Sequence, residues 1–451
     1  MRAAGTRRSG ARLPSRIGRR AVAVAAAAGL LGGALTACGS DGASSRKTEI
    51  RLTYATGDET GNAIIKAVTE AYNARSKTTS VRLDPLPAGT DYATAVKTMD
   101  ATGNWPAIID MRDTATYIAA KKLAPLPAQV TSLLSDDVYG KAADGNVYTT
   151  PMNAMNGESG INIVYDKDYF AQNGLKVPAT YAEFIALLQA IKDKGQTPLA
   201  TAAGEIWPSD QLWKPLAAPV FAEWSDKGGF WNAVTEGKAS IEDLREPLER
   251  LKHITDTYVL KGWQSTADAQ TTTLLVNHKA VMATSSAGIG RLTDIKKVDP
   301  EFNAGLFVIP DDEGNLDVLK YSVNGDLAMG WAISAQAQKN KVQYDAAVDF
   351  LTYWYSVEAG NLMEKTGGLA PNIKRAGEIT RNTSTPGAQD YFDLLKNPKL
   401  VWYDNDIEST KFSAFNTFFR QTRIEMQDGQ ITVDQAVAKA QAEFDKSVKQ
   451  G

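Results

Sequence analysis

The side chains best suited to binding a small molecule are carboxylates, a guanidinium and an aromatic ring that follow predicted strands. They form two groups, after a strand at 50–54 and after a strand at 107–110: Tyr54, Asp58, Glu59, Asp110, Arg112 and Asp113. Such groups donate and accept hydrogen bonds, and a hydrogen bond with a charged partner contributes roughly 1.5–3 kcal/mol. Because a single Arg stands among several acids, we expect a neutral polyhydroxy ligand or a cation rather than an anion.

Two of these pairs also have purely structural interpretations. Asp58 and Glu59 could be the negative charges that stabilise the N-terminus of a helix. Arg112 and Asp113 could form a surface ion pair of little energetic value. Both interpretations stay open on the sequence alone.

Covalent and metal chemistry have few candidate residues. The 451 residues include one Cys and two His, which excludes a zinc site built from Cys and His, a disulfide framework and a Cys/His catalytic pair. Two carboxylates would suffice for a glycoside hydrolase, but nothing in the sequence singles out a pair. We therefore expect a binding protein with no catalytic residue, no metal and no cofactor.

The binding residues need a scaffold that brings the ends of strands together. Apolar patterns predict strands at 50–54, 81–83 and 107–110, separated by an amphipathic helix through Ile64 to Tyr72 and a second helix at 91–102. Alternating strands and helices with short joins indicate parallel βαβ units in a doubly wound sheet. Ligands bind at the carboxyl ends of such strands, so both groups of residues should share one rim.

Two later helices begin with capping boxes, Thr180 with Glu183 and Thr432 with Gln435.

The amino-acid composition is that of a globular protein, with 43% apolar and 22% charged residues. Seven Arg and no acid lie in the first 37 residues, so the remainder carries a net charge of −10. An acidic body of this kind is a poor nucleic-acid binder, because phosphate affinity depends on Lys and Arg.

The N-terminus has the pattern of an export signal. An Arg-rich stretch precedes Ala21–Ala37, a 17-residue uncharged run that is shorter than the ~20 apolar residues of a membrane span. Leu35-Thr36-Ala37-Cys38 resembles the bacterial lipobox. We expect a signal peptide at 1–37, a lipid on Cys38, a flexible tether at 38–47 and attachment to the extracytoplasmic face of the membrane. An ordinary secreted protein and twin-Arg export remain alternatives.

Several stretches resemble the extracellular solute-binding proteins of ABC importers, specifically the carbohydrate-type group with the maltose-binding-protein fold. Asp166 and Tyr181 stand where that group usually has Asn and Trp. The resemblance covers residues 48 to 450 and rests on these segments: Val147-Tyr148, Pro151, Ile161–Phe170, Gly174-Leu175, Pro178–Thr180, Phe184, Lys194–Ala200, Asn277–Met282, Phe307–Pro310, Trp331–Ser334, Ala346–Leu351, Gly367–Pro371 and Gly429–Phe444.

The resemblance implies an α/β fold of the two-lobe periplasmic-binding-protein type (type II), with discontinuous lobes and a ligand cleft at a hinge. The first lobe would hold 48–152 and 290–345, and the second 153–289 and 346–451. The implied ligand is a small carbohydrate, and the implied partners are ABC permease subunits, with the chain a monomer. The same fold could instead bind a polyamine, a phosphorylated polyol or a peptide.

The resemblance also implies further ligand-binding residues. Asn153 and Asn156 would lie at the first hinge crossing, although turn formation would equally explain them. Trp207 stands at a predicted strand-to-helix join and could stack on a sugar ring, as could Trp402, whereas Trp331 and Trp354 should be core residues. The remaining residues that the pattern indicates at the cleft are Ser286, Asn324 and Asp326.

Overall fold

The computed structural model describes residues 47–56, 59–86, 92–135, 139–152, 163–286, 288–319, 329–403, 406–408 and 412–450. Residues 46–451 form a compact unit of their own. The predicted signal peptide, the tether up to residue 46 and six predicted functional residues lie outside the described residues: Cys38, Asp58, Asn153, Asn156, Asn324 and Asp326.

The described residues form three sheets, and the first contains five strands in the order β2-β1-β3-β10-β4. β1 is parallel to β2 and β3, whereas β10 is antiparallel to β3 and β4. The strands are β1 Thr48–Ala55, β2 Thr79–Leu86, β3 Ile108–Met111, β4 Leu123–Ala124 and β10 Gly330–Ser334. The parallel β1, β2 and β3 occur where the alternating strand and helix pattern predicts them.

Helices cover this sheet and share a core with it. Leu52 and Ile108 from the sheet pack with Trp331, Phe350 and Trp354, all fully buried. The two tryptophans are therefore core residues, as predicted. The helices associated with this sheet are α1 Glu59–Arg75, α2 Tyr92–Thr102, α3 Thr114–Ala119, α4 Ala128–Thr131, α12 Ala335–Gln338, α13 Lys341–Trp354 and α14 Val357–Thr366.

The second sheet has four strands in the order β6-β7-β5-β8, accompanied by a parallel two-stranded sheet, β9 with β11. β6 is parallel to β7, whereas β5 is antiparallel to both β7 and β8. The strands are β5 Ile163–Asp166, β6 Leu199–Ala200, β7 Met282–Thr284, β8 Ala304–Phe307, β9 Leu316–Leu319 and β11 Leu400–Tyr403.

The second sheet lies between two apolar clusters, one around Phe184, Trp213 and Phe419 and one around Leu292 and Leu306. Both predicted caps are present, because the Thr180 hydroxyl accepts from the Glu183 amide and the Thr432 hydroxyl from the Gln435 amide. The capping box is complete only at Thr432, whose amide donates to Gln435 Oε1, whereas the Glu183 carboxylate accepts from the Ala179 amide. The helices of this half are α5 Lys167–Asn173, α6 Tyr181–Asp193, α7 Asp210–Ser225, α8 Phe230–Thr235, α9 Arg245–Tyr258, α10 Asp268–Val276, α11 Ile289–Val298, α15 Ala388–Leu394, α16 Ser413–Gln427 and α17 Val433–Gln450.

Two segments pack differently from the expected lobe boundaries. Residues 290–319 were expected in the first lobe, but β8 pairs with β5 and the Leu292 side chain packs in the second half. Residues 346–379 were expected in the second lobe, but they pack under β1 with the first core. The physical reason is strand pairing. Among the described residues after 289, only 330–334 join the first sheet as a strand. Because 346–379 follow this strand along the chain, they pack against the first sheet.

Within the described residues, none of the helices combines the length and apolarity that crossing a membrane would require.

Candidate functional site

The carboxyl ends of β1 and β3 meet at one rim of the first sheet, and Asp110 joins them. Its buried carboxylate accepts from Nε and Nη2 of Arg112 at 3.1 and 2.9 Å and from the backbone amide of Ala55 at 3.4 Å. The guanidinium of Arg112 also lies over the ring of Tyr92, 5.3 Å from its centroid. Asp110 is thus a structural anchor, and the half-exposed Arg112 is a polar group that this rim presents.

The other candidates on this rim have different surroundings. Tyr54 packs in the first core, and burial raises the pKa of its phenol. Glu59 is exposed as the first residue of α1, where its charge faces the helix N-terminus. Asp113 occupies the N-cap of α3 without a capping hydrogen bond from its side chain. For all three, ligand binding stays a prediction.

The second rim is formed where the parallel strands β6 and β7 end. Trp207 lies in a short 3₁₀ turn (Trp207–Ser209) between β6 and α7, and 41% of the residue is exposed. Ser286 follows β7, and its hydroxyl accepts from Nε2 of Gln211 at 3.3 Å. Gln211 is the second residue of α7, four positions after Trp207, so the structure brings these two predicted residues to one rim.

Gln211 is a functional candidate that the sequence analysis missed. Its Nε2 also donates to Oδ1 of Asp268 at 2.8 Å, and its Oε1 accepts from the Thr284 hydroxyl at 2.9 Å. The buried side chain therefore ties α7 to the end of β7 and to the start of α10. Its partners are 57 and 73 residues away in the chain, so no local motif could have identified it.

Arg291 is the second missed residue of this rim. Its guanidinium is buried and donates to Asp268 Oδ2 at 2.6 Å and to the Thr272 hydroxyl at 2.8 Å. A further contact with the Ser285 hydroxyl measures 3.5 Å. Arg291 therefore stabilises the rim from the interior of the lobe, by joining α10 to the residue that follows β7.

A buried ion cluster fixes the start of α7. Asp210 is bonded to Arg423 Nη2 at 2.6 Å and to Arg420 Nη2 at 2.6 Å, and Lys214 lies 3.7 Å away. Burial alone would raise the pKa of Asp210, but the nearby cations hold it well below its ordinary value. The carboxylate therefore stays charged and links α7 to α16, three residues after Trp207.

Trp402 is placed differently from Trp207. It lies on β11 opposite Val318 and packs, half-buried, against the cluster that contains Leu306. Its predicted stacking on a ligand remains a prediction, but its described contacts are those of a core residue.

The helices that begin at the two rims are in contact. The Thr60 hydroxyl in the first turn of α1 donates to Oδ1 of Asp294 on α11 at 2.7 Å, and Lys297 Nζ donates to the same hydroxyl at 3.2 Å. α1 follows β1, and α11 follows β7. The two halves are therefore joined beside their candidate binding rims.

Among the residues that the structure describes, no cluster of three or more His, Cys, Asp or Glu side chains is arranged to hold a metal ion. The chemistry that both rims offer is hydrogen bonding and aromatic stacking.

Comparison with known proteins adds a family and a fold. A family model described as bacterial extracellular solute-binding protein matches residues 65–389. The multiple sugar-binding protein of Streptococcus mutans is 26% identical over 370 residues, which are 77% of this chain and 85% of that protein.

Two solved structures extend the comparison. A chitin oligosaccharide binding protein has a TM-score of 0.73 at 20% identity, over 89% of this chain and 99% of that one. A Bacillus licheniformis sugar transporter in complex with stachyose has a TM-score of 0.69 at 17% identity, over 88% and 100%. At these identities the likeness shows the fold, and it confirms the expected two-lobe α/β class.

Proposed function

The chain belongs to the bacterial extracellular solute-binding protein family, and from that premise we propose that it captures a sugar or oligosaccharide by lobe closure and delivers it to an ABC permease. The family is one of binding proteins, so the expected class, a binder rather than an enzyme, is confirmed. Its extracytoplasmic location follows from the same membership.

The observation that carries the proposal is the composition of the second rim. This rim carries an exposed indole, Trp207, one helical turn before Gln211, and Gln211 in turn donates a hydrogen bond to the Ser286 hydroxyl. A sugar presents C–H faces that pack on an aromatic ring and hydroxyls that donate and accept hydrogen bonds. The rim offers a partner for each kind of group.

The first rim presents the guanidinium of Arg112 beside two further carboxylates, Glu59 and Asp113, whereas the Asp110 carboxylate is buried and paired with Arg112. A cation would have to bind to Glu59 or Asp113 rather than to Asp110. Arg112 instead presents a planar set of donors, which suits hydroxyl oxygens. We therefore assign Arg112 and Trp207 to opposite sides of a cleft between two lobes. The first lobe comprises 48–152 and 329–379, and the second comprises 163–319 and 388–450.

We also propose that the mature chain is a monomer held at the membrane by a lipid on Cys38, with 38–47 as its tether. The support is the Leu35–Cys38 pattern, in which the single Cys of the chain occupies the lipidated position. Metabolic labelling with an alkyne fatty acid tests this. The native chain should be labelled and sediment with membranes, whereas Cys38→Ser should be unlabelled and soluble; a Cys38→Ser chain that stays membrane-bound contradicts the anchor.

Thermal unfolding of residues 46–451 with a panel of sugars tests the ligand class. A sugar at about 100 times its dissociation constant adds roughly 2.7 kcal/mol, which raises the unfolding midpoint by a few degrees. Stabilisation by one sugar class supports the proposal. Stabilisation by polyamines, polyol phosphates or peptides instead would overturn the carbohydrate assignment while keeping the family.

A further inference from the structure

Trp207 is preceded by a strained turn. Ile206 has φ +67° and ψ −55°, and the amide of Trp207 donates to the carbonyl of Glu205 at 2.8 Å. A hydrogen bond between residues two apart, around a central residue with these angles, defines the rare and strained class of γ-turn. A β-branched residue is especially unfavourable at positive φ because its Cβ crowds the backbone.

The surrounding backbone holds this turn in place. The amide of Ile206 donates to Ala203 at 2.8 Å, and its carbonyl accepts from the amide and the hydroxyl of Ser209 at 3.1 and 2.7 Å. Upstream, Gly204 donates to the carbonyl of Thr266 at 2.9 Å. The strain is therefore maintained by hydrogen bonds on both sides, as is typical of backbone outliers with a functional role.

The product of this turn is an exposed apolar surface. Trp207 is the one exposed tryptophan in the described part of the chain, and Ile206 beside it is 37% exposed. A relaxed turn would let the indole fold back onto the lobe and bury apolar area, which is favourable in water. The γ-turn holds it outward.

We propose that Ile206 is a positioning residue for the ligand: its strained γ-turn fixes the indole of Trp207 in the orientation that stacks on a sugar ring. This inference rests on the proposed sugar site. It predicts that the backbone conformation of residue 206, rather than the isoleucine side chain, carries the effect on affinity.

A matched pair of variants, Ile206→Gly and Ile206→Pro, separates these contributions because both remove the isoleucine side chain. Glycine adopts a positive φ without penalty and keeps the turn, whereas proline fixes φ near −65° and cannot form it. In chains containing 5-fluorotryptophan, the Trp207 fluorine signal is the one absent from Trp207→Phe. We expect this signal to stay near its original position in Ile206→Gly, and to narrow and shift toward that of free 5-fluorotryptophan in Ile206→Pro. Ser209→Ala, which removes the hydroxyl donor to the Ile206 carbonyl, is the milder second variant and should shift the signal in the same direction.

Thermal unfolding and sugar titration complete the test. Glycine ordinarily destabilises a protein relative to alanine, but here Ile206→Gly should unfold at a temperature at least as high as Ile206→Ala. The sugar affinity of Ile206→Gly should stay within about threefold of the native value, whereas that of Ile206→Pro should fall about tenfold. An unchanged fluorine signal in a folded Ile206→Pro chain, or an equal loss of affinity in Ile206→Gly and Ile206→Pro, would overturn the inference.

The design keeps the two proposals distinguishable. If the native protein binds no sugar, the proposed function fails, while the fluorine signals and the order of the unfolding midpoints still decide whether the turn fixes Trp207. If the native protein binds a sugar and a folded Ile206→Pro chain binds it equally well, the positioning role alone is wrong.

Discussion

Each rim contains an Asp–Arg pair, and the two pairs are exposed in opposite ways. In the first rim the guanidinium of Arg112 is 44% exposed and the Asp110 carboxylate 3%. In the second rim the side chain of Arg291 is 3% exposed, and the exposed group is instead an indole, Trp207. An Asp–Arg pair can therefore present an exposed donor to solvent or stabilise a surface from the interior of the lobe, and burial of the guanidinium decides which.

The largest expected effect comes from removing the buried guanidinium. Arg291→Met leaves the Asp268 carboxylate without its charged partner, and breaking a buried pair of this kind costs about 3–5 kcal/mol. Denaturant unfolding should show a loss near the lower end of that range, because Asp268 retains the Gln211 hydrogen bond. The control is Arg375→Met, which breaks an ion pair with Glu378 in which both side chains are exposed and should leave stability almost unchanged. Equal losses in both variants would contradict the role of burial.

Asp317 is a third buried carboxylate, and it extends the comparison because its charged neighbours are negative, as it is. Burial, together with Asp311 and Glu313, raises the pKa of Asp317 on β9 to about 6. Because this pKa lies above that of Asp317 in the unfolded chain, protonation of Asp317 stabilises the folded protein. This contribution to the free energy of unfolding is complete below about pH 4 and disappears as the pH rises through 6.

Asp317→Asn should therefore stabilise the protein at pH 8 by about 2 kcal/mol, with almost no effect at pH 4. Denaturant unfolding at both pH values measures the difference. Asp312→Asn, at an exposed carboxylate paired with Arg250, is the control. A pH-independent effect of Asp317→Asn would show that its charge is not the cause.

Removing the exposed indole should reduce ligand binding without reducing stability. Trp207→Ala is expected to weaken sugar binding tenfold or more, about 1.4 kcal/mol, while the unfolding midpoint stays within 1–2 °C. Trp402→Ala is the informative counterpart, because this half-buried ring packs against a core cluster and its loss should lower stability. Calorimetric titration and thermal unfolding of both variants give the comparison; unchanged affinity in both would remove the stacking assignment.

The smallest expected effect is at the exposed guanidinium. Arg112→Lys keeps the charge but loses the planar donor geometry, so sugar affinity should fall about threefold and stability should hardly change. If Arg112→Lys bound the sugar as tightly as the native protein, the Arg112 guanidinium would not contact the ligand.

These residues also show what the sequence could predict. The parallel strands of the first half and the helix caps at Thr180 and Thr432 follow from local patterns, because each pattern lies within a short stretch of chain. The lobe to which 346–379 belongs could not be predicted from local patterns, because the pattern of an amphipathic helix indicates that one face is buried but not which sheet that face packs against.

The second rim was only partly predictable for the same reason. Trp207 and Ser286 were predicted from the family resemblance, but the contacts of Gln211, Asp268 and Arg291 join segments far apart in the chain. The conformation of Ile206 could not be predicted from the sequence either. Isoleucine ordinarily indicates a strand, whereas this γ-turn is imposed by hydrogen bonds with other segments.

Lobe closure on a sugar is the central claim, and fluorescence energy transfer between the halves tests it most directly. Val342 on α13 and Val177 before α6 are exposed, so cysteines there can carry a dye pair in residues 46–451, which lack Cys38. Energy transfer should change on adding the sugar that stabilises the protein, with the same half-saturation as binding measured by calorimetry. Saturable binding with no change in energy transfer, checked with a second dye pair, would contradict capture by closure.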